Sequence, residues 1–164
     1  MVDVEANGPC PGMYSMIEIG AVHVATQKTF YTTLRPFGTK YLQAALDVTH
    51  RTHEETLSFK DPTVAMGDFA TWLKGNCPNS PRFISDNNGF DWQFVNYYFH
   101  VCLGSNPFGY SSSNLGSLYK GMQRDMSAKF KHLRRTKHTH NPVDDAMGNV
   151  EAMLAMEKMG MKLS

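Results

Sequence analysis

Near its start the chain reads MVDVEANG, with Asp3 and Glu5 one residue apart in an otherwise apolar stretch. In a strand, residues i and i+2 point to the same side, so these two carboxylates project together with Cα atoms roughly 7 Å apart. Two anions that close do not both stay ionised cheaply without a cation. A divalent ion resolves the conflict, and carboxylates are the ligands that Mg²⁺ or Mn²⁺ prefers. A solvated edge strand with a charged face is the plainer account of a D-x-E pair. The turn chemistry that follows speaks for the metal. Asn7, Gly8, Pro9, Pro11 and Gly12 end the strand sharply and leave the pair at its C-terminal end, where α/β sheets place their sites.

Two later segments add acids of the same kind. In SDNNGFDWQF, Asp91 lies where a strand and turn pass into a helix. Helix N-cap is its competing role, and Asp86 competes with it as the functional acid. In HTHNPVDDAMGNVEAM, Val143, Met147, Val150 and Leu154 read as the core stripe of a helix. On a 100° wheel Asp145 falls near Gly148, Asn149, Ala152 and Met156, a face of small residues with no other charge. Another backbone can pack close there. Asp144 falls nearer Glu151 and suits a first-turn partner of the helix dipole. Asp145 is therefore the ligand candidate. His140 stands five residues ahead of it, in a loop that also holds His132 and His138. A closed zinc site built from these histidines has no cysteine nearby in sequence, and the spacing fits none.

These residues need a scaffold. MVDVE reads as a short strand, MIEIGAVHV as a strand buried on both faces, and KTFYTTLRP as a third strand. LQAALDV, within the ambiguous stretch 39–60, reads as a short helix. Asp61 as N-cap, Pro62 at the first helical position and Gly75 as a stop bracket another helix, with Met66, Phe69 and Leu73 on one face. PRFISDN is a strand. DWQFVNYYFHVCLG is a helix whose Trp92, Val95 and Phe99 belong to the core. SSNLGSLYKGMQ and NPVDDAMGNVEAMLAMEKMG are further helices, the last opening on Asn and Pro. Strands first, then alternating helix and strand, predict an α/β fold. Its mixed central β-sheet would hold an antiparallel meander of the first three strands, then parallel strands, with helices on its faces.

The 164 residues fit one domain, 1–164. A net charge of +1 gives no strong global field for nucleic acid or membrane, so any basic surface is local. Cys10, Cys77 and Cys102 are odd in number and form no CxxC pair, which fits reduced thiols and a cytoplasmic location. No apolar run is long enough to span a bilayer.

Together the three acidic segments resemble the DEDDh 3′→5′ exonuclease family, which has an RNase H-like fold. DVEANG matches the family's D-x-E strand with Asp3 and Glu5, and YSMIEIGAV resembles the strand that follows. NNGFD matches its N-x-x-F-D motif with Asn87, Phe90 and Asp91. HNPVDD matches its H-x4-D motif with His140 and Asp145. The likeness runs from Asp3 to about Leu154. It departs from the family in having only Met1 and Val2 ahead of Asp3, and Ala6 where many members carry Thr.

The resemblance implies that Asp3, Glu5, Asp91 and Asp145 hold two Mg²⁺ or Mn²⁺ ions, with His140 as general base, in a hydrolysis that releases nucleoside 5′-monophosphates. It implies that Ala6 meets the terminal nucleotide through its backbone, and that Asn7, Asn87 and the PCPGMY loop adjoin it. Tyr14 and Met16 are candidates to pack against bases. The basic run KFKHLRRTKHTH, with Lys129, Lys131, Arg134, Arg135 and Lys137, is a candidate phosphate track beside His140. The expected partner is the 3′ end of single-stranded RNA or DNA. RNA is favoured because short stand-alone members are often exoribonucleases. A DNA exonuclease and a catalytically silent nucleic-acid-binding module are the alternatives. A homodimer, with 105–131 supplying the interface, is a further expectation by analogy.

Overall fold

The computed structural model describes residues 1–77 and 79–163. Strands β1 (Val2–Ala6), β2 (Met16–Val22) and β3 (Thr29–Thr33) form an antiparallel sheet in the order β1-β2-β3. Strands β4 (Phe83–Ser85) and β5 (Ser112–Asn114) form a parallel pair, and β4 packs beside β1. The meander and the parallel pair are those expected, although the backbone ladder is continuous only within each piece.

The helices are α1 (Gln43–Thr49), α2 (His53–Leu57), α3 (Pro62–Asn76), α4 (Asn88–Leu103), α5 (Leu115–Gln123) and α6 (Pro142–Lys158). The ambiguous stretch 39–60 thus holds two short helices, the second started by a Thr52–Glu55 capping box. α3 is capped by Asp61 as expected but runs through Gly75 to Asn76. α4 begins three residues before Asp91, so the N-cap position belongs to Asn87. The basic run is irregular apart from one 3₁₀ turn, Lys131–Leu133.

β2 is buried along its whole length, as its continuous apolar run predicts. One core joins β1 and β2 to α3 and α4 through Val4, Ile19, Met66, Phe69, Phe94 and Phe99. The other lies under α5 and α6, around Val22, Leu115, Tyr119, Val150 and Met156. Trp92 is half-buried against the first core, with its ring edge-on to Phe83 at 5.0 Å.

The α6 stripe differs from the reading of the sequence. Of Val143, Met147, Val150 and Leu154 only Val150 is fully buried. The enclosed face is Asp145, Ala146, Gly148, Asn149, Ala152, Met153 and Met156. The small-residue face won because α6 lies directly on β2, and small side chains let the backbones approach. Gly20 is a point of close approach. A Cβ there would sit 2.6 Å from the Val143 backbone nitrogen. Gly20 is paired with Asp3 across the β1–β2 ladder, and paired residues share a face. A missing side chain on β2 is therefore what lets the start of α6 descend onto the face that carries Asp3.

Candidate active site

β1 presents Asp3 and Glu5 on one face, and a register shift after Glu5 ends the regular pairing at Ala6. Two helix starts bring the other acids. Asp91 is the fourth residue of α4, behind Asn87. Asp145 is the fourth residue of α6, behind Asn141, whose side chain accepts from the Val143 and Asp144 amides while Pro142 fills the first turn. Carboxylate oxygens of Asp3, Glu5 and Asp145 lie within 4.8 Å of one another. So do those of Asp3, Asp86 and Asp91, which makes Asp3 the hub of five acids. Asp86, the competitor of Asp91, thus stands beside it, with Oδ1 taking a hydrogen bond from Asn149 Nδ2 at 3.1 Å.

The charge is uncompensated on one side of this cluster. Burial, followed by the fields of Asp91, Glu5 and Asp145, pushes the Asp3 carboxyl well above the usual carboxylate range. Burial and then Glu18 push Glu5 up to about 8, and burial above all raises Asp91 to about 7. Asp91 Oδ1 accepts from the Val4 amide at 3.2 Å. Its Oδ2 is buried without a hydrogen bond, outside bonding geometry even with the buried Ser85 hydroxyl. An orphaned buried carboxylate oxygen among like charges, with only oxygen donors around it, fits a hard divalent cation. Two groups of carboxylates could hold one, Asp3 with Glu5 and Asp145, and Asp3 with Asp86 and Asp91.

On the other side Asp145 is fully engaged. Arg134 Nη2 donates to its Oδ1 at 3.0 Å, and the Thr139 amide reaches the same oxygen at 3.3 Å. Oδ2 takes the His140 amide at 3.1 Å and lies 2.8 Å from His138 Nδ1. His140 has a left-handed backbone, φ 58°, a rare conformation for a residue with a side chain. Its Nδ1 is 3.8 Å from Glu5 Oε1. Burial and the neighbouring His138 imidazole hold the His140 ring below its ordinary value.

Several candidates from the sequence sit elsewhere than expected. Met16 is wholly enclosed in the core and has no surface for a base. Asn7 is also fully buried. Its Oδ1 accepts from the Ser15 amide at 2.7 Å and closes the 7–15 loop. Tyr14 is half-buried, its ring against Gly8, where a side chain would collide with it. Arg134 is no part of an open phosphate track. Its side chain is 5% exposed, bound to Asp145 and seated over Gly148, whose absent side chain makes room for it. Arg135, Lys129, Lys131 and Lys137 are exposed, and so is Asn87, whose side chain makes no cap hydrogen bond. Ala6 is buried at the bulge. Beside Glu5 and Ala6 a cleft of about 300 Å³ opens, walled by Leu42, Ala45, Val48 and Phe90.

One buried acid went unrecognised. Glu18 is paired with Glu5 across the ladder and is 2% exposed. Arg51 neutralises it, with Nε to Oε1 at 2.7 Å, and the Tyr31 hydroxyl donates to it as well. A lone carboxylate inside the apolar run MIEIGAV was the available signal.

No family model matches the chain. The 3′–5′ DNA exonuclease Cap18 of Escherichia coli is 41% identical to it over 125 residues, which cover 74% of this chain and 67% of that protein. Among solved structures, the nuclease domain of 3′hExo bound to rAMP is similar over 99% of this chain and 92% of its own, with TM-score 0.78 and 16% identity. Escherichia coli exonuclease I in complex with a dA16 oligonucleotide is similar over 96% of this chain and 39% of its own, with TM-score 0.67 and 17% identity. The structural likenesses establish the RNase H-like fold. With the D-x-E, N-x-x-F-D and H-x4-D segments converging on one cluster of carboxylates, the identity to Cap18 shows that this chain belongs to the DEDDh family of 3′–5′ exonucleases.

Proposed function

We propose that this chain shortens single-stranded DNA from its 3′ end, releasing nucleoside 5′-monophosphates with two Mg²⁺ or Mn²⁺ ions held by Asp3, Glu5, Asp91 and Asp145. The observation that carries the reading is the convergence of acids on Asp3, with Glu5 and Asp145 on one side and Asp91, one of its oxygens unbonded, on the other. When bound, the ions supply charge for the attacking water and for the departing 3′ oxygen. The protein supplies position and proton transfer. His140 holds its ring neutral beside Glu5, ready to accept a proton from water. The left-handed turn at His140 and the hydrogen bond its backbone amide donates to Asp145 fix that ring relative to the acids.

The cleft walled by Leu42, Ala45, Val48 and Phe90 suits the flat apolar face of the terminal base, next to the Ala6 backbone. Arg135, Lys137 and Asn87 are exposed and available for phosphate contact. Sequence length favoured RNA. The relative that is 41% identical acts on DNA by its name, and that outweighs the habit of short family members.

The test is a digestion of 5′-labelled single-stranded DNA and RNA of one sequence, with Mg²⁺, Mn²⁺ or chelator. A metal-dependent ladder that shortens from the 3′ end of DNA faster than of RNA is expected. Equal or faster RNA digestion overturns the substrate, and an Asp3→Asn variant as active as wild type overturns the site.

A further inference from the structure

Two imidazoles and a carboxylate meet at the edge of the acid cluster. His138 Nδ1 is 2.8 Å from Asp145 Oδ2, the His138 and His140 rings are 4.2 Å apart and inclined by 70°, and donor atoms of His138, His140 and Asp145 all lie within 4.8 Å of one another. His132, the third histidine of the basic run, is turned away against Tyr119. The histidine cluster therefore acquires a carboxylate, and no cysteine, as its third donor.

This donor set shares Asp145 with the four carboxylates but differs from them in kind through its two imidazoles. Mg²⁺ is hard, takes oxygen ligands and demands octahedral geometry. Two imidazole nitrogens with one carboxylate oxygen suit a borderline ion such as Zn²⁺, which open sites bind through three protein ligands and water. Tetrahedral Zn²⁺ with bonds of about 2.0–2.1 Å needs its ligand atoms roughly 3.4 Å apart. The donor atoms here lie within 4.8 Å of one another, on two imidazole side chains that are 47% and 41% exposed and so have room to turn. The same exposure leaves room for a water ligand. Asp145 is already fixed by Arg134 and the Thr139 amide, so one donor is preorganised.

We infer that His138, His140 and Asp145 form a second metal site, selective for Zn²⁺-like ions, whose occupation removes His140 from proton transfer and stops the nuclease. The site rests on the proposed function only for the consequence, since binding itself needs no substrate. His138 is the selective element. It contributes a nitrogen to this site, while Asp145 keeps Arg134 and the Thr139 and His140 amides as partners without it.

Co²⁺ is the probe for binding. Added to wild type, one equivalent gives the intense visible absorption of a tetrahedral nitrogen-containing site. His138→Gln lacks that band, and His138→Cys, which restores a zinc donor, regains an intense band. Zn²⁺ inhibition is then measured in millimolar Mg²⁺, each protein normalised to its own Mg²⁺ activity. The half-inhibiting Zn²⁺ concentration rises at least tenfold in His138→Gln and returns toward wild type in His138→Cys. Absence of the tetrahedral band in wild type overturns the site. Equal Zn²⁺ sensitivity of wild type and His138→Gln also overturns it, because Zn²⁺ then acts at the carboxylates alone. If no nuclease activity is found, the Co²⁺ spectra still decide the site, so its failure and the failure of the proposed function are told apart.

Discussion

The starts of α4 and α6 are alike in construction and opposite in environment. Each has an asparagine at the N-cap position and, four residues on, a buried aspartate that joins the acid cluster. At α6 the cap is made, and Asp145 takes hydrogen bonds or ion pairs from Arg134, His138 and the amides of Thr139 and His140. At α4 the Asn87 side chain caps nothing. Asp91 has one amide partner and an orphaned oxygen. One acid is thus held in place by cationic and amide partners, and the other has a single amide partner. The position of a buried acid on a helix therefore says little about what holds it there. That is set by what other parts of the chain bring to the same spot.

Substitution of either acid should be equally damaging to catalysis. Asp91→Asn and Asp145→Asn each lower kcat on the order of 10³-fold, read as labelled mononucleotide released in Mg²⁺. A tenfold gap between the two would mean that only one of them serves the ions.

Stability should separate them. Asp145→Asn leaves the Arg134 guanidinium, 5% exposed, without a counter-charge and costs about 3 kcal/mol in urea melts with chelator. Asp91→Asn removes a carboxylate that is costly to ionise in burial, and raises the midpoint under the same conditions. The contrast collapses if both variants shift the same way.

The pH dependence sharpens the Asp91 side. A carboxyl raised from 4.5 to about 8 (Glu5), or from 3.8 to about 7 (Asp91), binds its proton more tightly folded than unfolded. Its stabilising contribution is full below the unfolded value and is lost as pH rises through the folded one. With chelator, Tm should therefore fall between about pH 4 and pH 8. Mg²⁺ should raise Tm strongly at pH 8 and little at pH 5, measured by calorimetry, and Asp91→Asn should flatten the metal-free profile.

The smallest expected difference lies in the caps. Asn141→Ala costs about 1 kcal/mol through the lost bonds to Val143 and Asp144, while Asn87→Ala costs no more than a few tenths. If Asn87→Ala slows turnover without a stability change, its exposed side chain serves the substrate.

Much of this was legible along the chain. The D-x-E pair is a strand period, and the Asn-Pro start of α6 is a cap signal. The choice of Asp145 over Asp144 followed from a helical wheel. Each depends on residues within about a turn of one another. The errors fell where partners are distant. Met16 was a candidate to pack against bases, yet it heads a strand enclosed on both faces. Arg134 looked like one more cation in a basic run, and its pairing with Asp145 across 11 residues needed Gly148 to clear a seat. Glu18 was passed over because its partner Arg51 is 33 residues away.

The sequence by itself determined which residues could carry metal chemistry and on which elements they ride, because strand alternation, helix periodicity and caps are local. Only the tertiary structure decided which of them meet and what neutralises each one. The absent side chain at Gly20 lets α6 settle on β2 and brings Asp145 to Asp3. Burial there strips water from the acids, so their charge is answered by Arg134, by Arg51 or by a bound cation, according to which lies within reach.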